Sequence, residues 1–119
     1  MSRVFAIQSP TRRDPHTGLI TKVFDFTDAE RFGEVVVLID AELKPTSQDL
    51  VRRLLWEQLR NFTEDDYLLL TGNPIIMSQA SSMANLVVDG RVSYLQWSGH
   101  HKQYIEVRTD LFRDIPDDL

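Results

Sequence analysis

The segment with the strongest chemical suggestion is Leu70-Thr71-Gly72-Asn73-Pro74. An apolar run, Tyr67 to Leu70, reads as a buried strand, and an apolar helical pattern begins after Pro74. A strand that passes through a glycine turn into a helix presents free amides and the positive end of a dipole. Such a turn can hold a phosphate or a carboxylate, and Thr71, Gly72 and Asn73 are the candidate ligand residues. Ligands also favour the carboxyl ends of strands in open α/β sheets. The segment lacks the further glycines and the lysine of a P-loop, and it does not match the three-glycine dinucleotide turn. Pro74 removes one amide that would face an anion. The simpler reading is a capped turn, with Asn73 at the N-cap and Pro74 at the first helical position.

Other chemistry-bearing residues are scattered. His100 and His101 are adjacent, beside Lys102, and His16 lies far away. Adjacent strand residues face opposite sides, so the pair does not converge on a metal unless the loop twists, and no His-x-x-x-His spacing exists. Asp14 and His16 could join them only if the early loop folded over. Ser78, Ser81 and Ser82 sit inside the helical pattern, without the sharp turn that exposes a nucleophile. Glu64-Asp65-Asp66 reads as solvated surface at a helix-to-strand turn. No catalytic residue, metal site or cofactor is expected. Trp56 and Trp97 remain. Trp56 lies among Arg52, Arg53 and Arg60, and Trp97 precedes His100, His101 and Tyr104. Tryptophan and arginine anchor protein interfaces, so Arg53, Trp56, Arg60, Trp97, His100, His101 and Tyr104 form the candidate interface set. The competing reading is that both indoles complete the core.

The elements that position these residues fit one domain. The chain has 119 residues, 42% hydrophobic and 26% charged, which suits a globular fold and excludes a disordered or collagen-like chain. There is no cysteine, so disulfides and thiolate chemistry are excluded. Residues 1–60 carry nine basic and nine acidic groups; residues 61–119 carry four and nine, which places the net charge of −5 in the second half. That balance argues against phosphate-backbone contact, even with Arg12, Arg13, Arg52, Arg53 and Arg60 on hand, and fits a basic protein partner. The start has one positive charge and an apolar run too short for a signal peptide, and no run approaches a membrane span. The expectation is a cytoplasmic protein without membrane contact.

Val4 to Ile7 predicts a strand, Ser9 to Gly18 an irregular exposed loop, and Leu19 to Phe24 an extended piece. Thr27 and Glu30 have capping-box spacing for a short helix at 28–32, stopped at Gly33. Glu34 to Ile39 predicts a strand covered on both faces. A helix capped by Thr46 or Ser47 follows, with Leu50, Val51, Leu54, Leu55, Leu59 and Phe62 as its stripe and Asp49 able to pair with Arg53. Ile75, Ile76, Met77, Ala80, Met83, Ala84 and Val87 line the next helix, which ends at Asp89-Gly90. Arg91 to Trp97 and Gln103 to Val107 form a hairpin. The expected core includes Val37, Leu54, Leu55, Leu69, Ile76 and Leu95. The order predicts a single α/β domain over 1–109: a mixed, mostly parallel sheet with crossover helices, a C-terminal β-hairpin and a fraying acidic tail, 110–119. The return strand has thin charge protection, so it either forms a homodimer or is covered by a partner. The alternative is that Val4 to Ile7 or the tail closes that edge.

Phe62-Thr63-Glu64-Asp65-Asp66-Tyr67-Leu68-Leu69-Leu70-Thr71-Gly72-Asn73-Pro74, the later Gly90-Arg91-Val92-Ser93-Tyr94-Leu95-Gln96-Trp97 and Tyr104-Ile105-Glu106-Val107 carry a wider pattern. Together with Phe24-Asp25-Phe26-Thr27 and Arg31-Phe32-Gly33-Glu34, they resemble small uncharacterised proteins of tailed bacteriophages, over about residues 3–109. The resemblance implies a viral accessory protein of the host bacterial cytoplasm and carries over no catalytic residue. The expected function is therefore host takeover by binding a host or phage protein. The alternatives are a nucleotide or phosphate-metabolite binder at the Gly72-Asn73-Pro74 turn, with or without enzymatic activity, and a virion component.

Overall fold

The apolar run at the start of the chain becomes the middle of the sheet. In the computed structural model, which describes residues 2–22 and 25–114, Arg3–Gln8 forms β1, with Val4 to Gln8 all buried. Two short strands, β2 (Thr11–Arg13) and β3 (Ile20–Lys22), follow, then a 3-10 helix at Thr27–Phe32 and β4 at Glu34–Ile39. The helix α1 (Gln48–Leu59) leads to β5 (Tyr67–Leu69), and α2 (Pro74–Val87) leads to β6 (Ser93–Ser98) and β7 (Gln103–Arg108). The main sheet runs β4-β1-β5-β6-β7, parallel except for the antiparallel β6–β7 hairpin. This is the expected mixed, mostly parallel α/β architecture.

Alternation along the strands divides the core into two layers. Phe5, Ile7, Leu68 and Val92 face both helices, meeting Val51, Leu55 and Leu59 of α1 and Ile76, Ala80 and Ala84 of α2. Val4, Ala6, Leu69, Leu95 and Tyr104 face the other way, against Ala29 of the 3-10 helix, with Phe26, Phe32 and Tyr67 around them. Each fully buried leucine contributes about 1.5–3 kcal/mol through burial.

Several local expectations are corrected. The stretch Ser9 to Gly18 is exposed but not irregular throughout, because Thr11–Arg13 pairs antiparallel with β3. Val23, Phe24 and residues 115–119 lie outside the described residues. The Thr27–Glu30 capping box does not form; Asp25 Oδ1 instead accepts the Thr27 amide at 2.9 Å and its hydroxyl, and the turn is a 3-10 helix. Gly33 is required by close approach, since a Cβ there would collide with the Ser2 carbonyl. The run Val35 to Ile39 is an edge strand and not one covered on both faces, which leaves Val37 42% exposed. Of the expected core, Leu55, Leu69, Ile76 and Leu95 are buried, while Leu54 is half-buried against the helix layer.

On α1, Ser47 occupies the N-cap without a side-chain bond, because its backbone is not in the extended region that aims an Oγ at the helix amides. Asp49 pairs with Arg52 at 3.1 Å, one residue nearer than Arg53. Leu50 and Ile75 lie outside the stripes. The edge at β7 is not closed by Val4 to Ile7, which sits in the centre of the sheet. The start of the tail lies against the fold: the Leu111 amide donates to Gly90 O at 2.9 Å, and Phe112 packs on Gly90.

The acidic run before β5 is only partly solvated. Asp66 is 1% exposed. Its Oδ1 accepts the Arg3 amide at 3.0 Å and Arg3 Nε at 3.3 Å; its Oδ2 accepts Arg3 Nη2 at 3.0 Å, the Thr63 amide at 2.9 Å and the Thr63 hydroxyl at 3.1 Å. Burial alone would raise the pKa of this carboxyl, but the bonds from Arg3 and Thr63 outweigh it and hold the pKa below the ordinary value. One carboxylate thus ties the start of β5 to the start of β1.

Candidate functional site

The turn from β5 into α2 lies where a parallel sheet offers its ligand crevice, at the carboxyl ends of β1 and β5. Here the protein's own side chains occupy the amides of Asn73, Ile75 and Ile76. Asn73 Oδ1 accepts from Ile75 N at 2.9 Å and Ile76 N at 3.4 Å, as expected of an N-cap. Gln8, 4% exposed, fills the remaining space. Its Oε1 accepts from Asn73 N at 2.8 Å and its Nε2 donates to Asp40 O at 3.1 Å, while the Thr71 hydroxyl donates to Gln8 O at 2.5 Å. Gly72 has φ 105°, and a Cβ there would stand 2.6 Å from Gln8 Cβ. An anion at this turn would compete with Gln8 for the Asn73 amide and with the Asn73 side chain for the amides of Ile75 and Ile76. Gln8 went unnoticed in the sequence because its partners lie 32 and more residues away.

The candidate interface residues divide into separate places. Thr71, Trp97 and Tyr104 come together with Leu69 and Leu95 around a hollow of about 410 Å³ on the face opposite the long helices. Trp97 is 48% exposed and meets Tyr104 edge to face, with centroids 5.1 Å apart. Tyr104 itself is buried and supports Trp97 from below; burial, with Asp25 and Asp28 nearby, raises its phenol pKa. His100 and His101 lie at the hairpin tip. The turn at the tip brings their rings edge to face at 4.9 Å, the loop twist that releases them from strand alternation, and His101 Nδ1 lies 3.0 Å from Ser98 Oγ. His16 stays in a local turn, its amide donating to Asp14.

Trp56 and Arg53 belong to a different surface. With Asp49, Arg52, Met83 and Leu86 they line a groove of about 780 Å³ between α1 and α2. Trp56 is 41% and Leu86 74% exposed. Arg53 makes no ion pair among the described residues. Arg60 caps the end of α1 through its backbone, its amide donating to Trp56 O at 3.0 Å.

One polar cluster went unread. Ser81 Oγ lies 2.7 Å from Tyr94 Oη, and Asn85 Nδ2 donates to Ser81 O at 2.8 Å, on a groove of about 710 Å³ beside α2. The signal available was the four-residue spacing of Ser81 and Asn85, which sets both on one helix face. The cluster holds hydroxyl and amide groups without a base among them. Among the described residues, no three His, Asp or Glu side chains gather as a metal site, and no helix is long and apolar enough to cross a membrane.

Comparison with known proteins adds one relation. No curated protein and no solved structure matches the chain. Residues 2–111 match the family described as Phage Pam3 gp32-like protein, which takes in β1 to β7, both helices and the turn on Gly90. By that match across nearly its whole length, the chain belongs to the Phage Pam3 gp32-like protein family.

Proposed function

We propose that this phage protein acts in the cytoplasm of the infected bacterium by binding another protein, encoded by the host or by the phage. The observation that carries the reading is the α1–α2 groove, where Trp56 and Leu86 leave large apolar surfaces in water beside Arg53. Tryptophan and arginine dominate binding energy at interfaces when a partner covers them. A cluster of this kind, held on two helices packed to one core, is already in the geometry a partner would meet, so little ordering cost remains. The partner that fits is a protein with an apolar segment and carboxylates positioned for Arg53.

The experiment is affinity capture from infected cells with wild type and with Trp56→Ala, identified by mass spectrometry. A specific protein retained by the wild type and lost by at least about tenfold with Trp56→Ala supports the reading. Equal capture by both chains would remove the groove as the binding surface.

A further inference from the structure

We propose that β7 also pairs with β7 of a second copy of this chain, antiparallel about a twofold axis through Val107. The sheet order leaves β7 as an edge strand. Thr109 N donates to Val92 O at 3.0 Å, and Ser93 stands opposite Arg108. In an antiparallel ladder the backbone groups of alternate residues face alternate sides. The odd-numbered residues of β7 therefore turn their amides and carbonyls toward β6, and Tyr104, Glu106 and Arg108 turn theirs outward.

The outward groups are not equivalent. At Tyr104 both are taken from outside by the 3-10 helix: the amide donates to Asp28 Oδ2 at 2.6 Å and the carbonyl accepts from Arg31 Nη2 at 2.5 Å. Glu106 and Arg108 keep the open stretch of edge. Side chains of β7 mark the same stretch. Ile105 and Val107 are 41% and 38% exposed on one face, and Glu106 and Arg108 lie on the other, their ion pair closed at 2.5 Å.

Charge and hydrogen bonding select one register. With Val107 on the axis, Glu106 of each copy stands opposite Arg108 of the other. Their four amides and carbonyls complete a ladder, the ionic pairs form an alternating square, and Val107 meets its own copy on the opposite face. An axis through Glu106 sets two glutamates against each other and aligns Arg108 with the occupied Tyr104. An axis through Ile105 sets Arg108 against Lys102, and one through Arg108 sets two arginines together. Only the Val107 register uses every open backbone group and opposes unlike charges. Exposed edges are normally guarded by a lysine, a proline or a bulge; this edge instead carries a self-complementary sequence.

Sedimentation equilibrium of the full chain tests it. The wild type should pass from 13.8 kDa to twice that mass as concentration rises. Glu106→Arg and Arg108→Glu should each weaken association at least about tenfold, since each sets like charges opposite one another. An equimolar mixture of the two variants should associate again, because every facing pair is then unlike. A second readout needs only the wild type: amide exchange at Glu106 and Arg108 should slow with concentration while Tyr104 stays constant. A wild type that remains monomeric to about 1 mM overturns the proposal. So do single variants that associate like the wild type, or a dimer in which those two amides stay unprotected.

Discussion

Asp66 collects five hydrogen bonds, from Arg3 and Thr63, on a carboxylate almost without water contact. Removing it leaves the amides of Arg3 and Thr63 without their acceptor, while the half-exposed Arg3 side chain can turn to water, so Asp66→Ala should destabilise by about 1–3 kcal/mol. Its folded pKa is lowered from 3.8, so its contribution is complete above that value and disappears as pH falls through the folded value. Asp66→Asn cannot titrate. The stability difference between wild type and Asp66→Asn, from urea titrations, should therefore hold level from about pH 7 to pH 5 and shrink below about pH 4. Asn73→Ala should cost about 0.5–2 kcal/mol by freeing the two amides its side chain accepts. If the turn also binds anions, sulfate should stabilise the wild type more than this variant; equal stabilisation would mark a cap alone. At this scale the sequence was legible where cause and effect are neighbours. Asn73 and Pro74 state their own cap. The acidic run misled because the partner that buries Asp66 is Arg3, 63 residues away, and Gln8 was silent for the same reason.

Elements repeat that lesson. The stripe on α1 is read from spacing, but which member is deepest depends on how the helix lies on the sheet. Leu55→Ala should cost about 2–5 kcal/mol through lost burial and a residual cavity, and Leu54→Ala, half-buried, distinctly less, as a paired denaturant titration will show. Val37 was expected inside because Val35 to Ile39 is apolar throughout, yet strand order alone decides that β4 is an edge. The β2–β3 hairpin shows the opposite case, a loop by composition that pairs once two distant backbones align. Both its described faces are in water, and Arg12 and Arg13 stand exposed on it. Brief trypsin treatment should cut there first and leave two fragments, one carrying β1 and one carrying β4 to β7, that stay associated through the sheet, read by intact-mass analysis of the gel-filtered complex.

Taken whole, the molecule has a radius of gyration of 15.5 Å. A compact chain of this length would have roughly 13.5 Å. Two long helices cover one face of the sheet and a single 3-10 helix covers part of the other, which leaves the hollow beside Trp97. The fold class was legible from the alternation of strand and helix signals. The division of candidate residues between two surfaces was not, since it follows from which side each crossover takes.

The central place of β1 has a consequence for how the chain is made. β1 leaves the ribosome before either of its sheet neighbours, and it is hydrogen-bonded on both sides, to β4 beginning at residue 34 and to β5 ending at residue 69. Until both have emerged, Val4, Phe5, Ala6 and Ile7 wait without their neighbours. At roughly 5–20 residues per second, the stretch between them takes a few seconds to synthesise. During that interval the nascent chain offers a strand destined for the core with two open sides, so its yield in the cell should depend on what shelters β1 during translation.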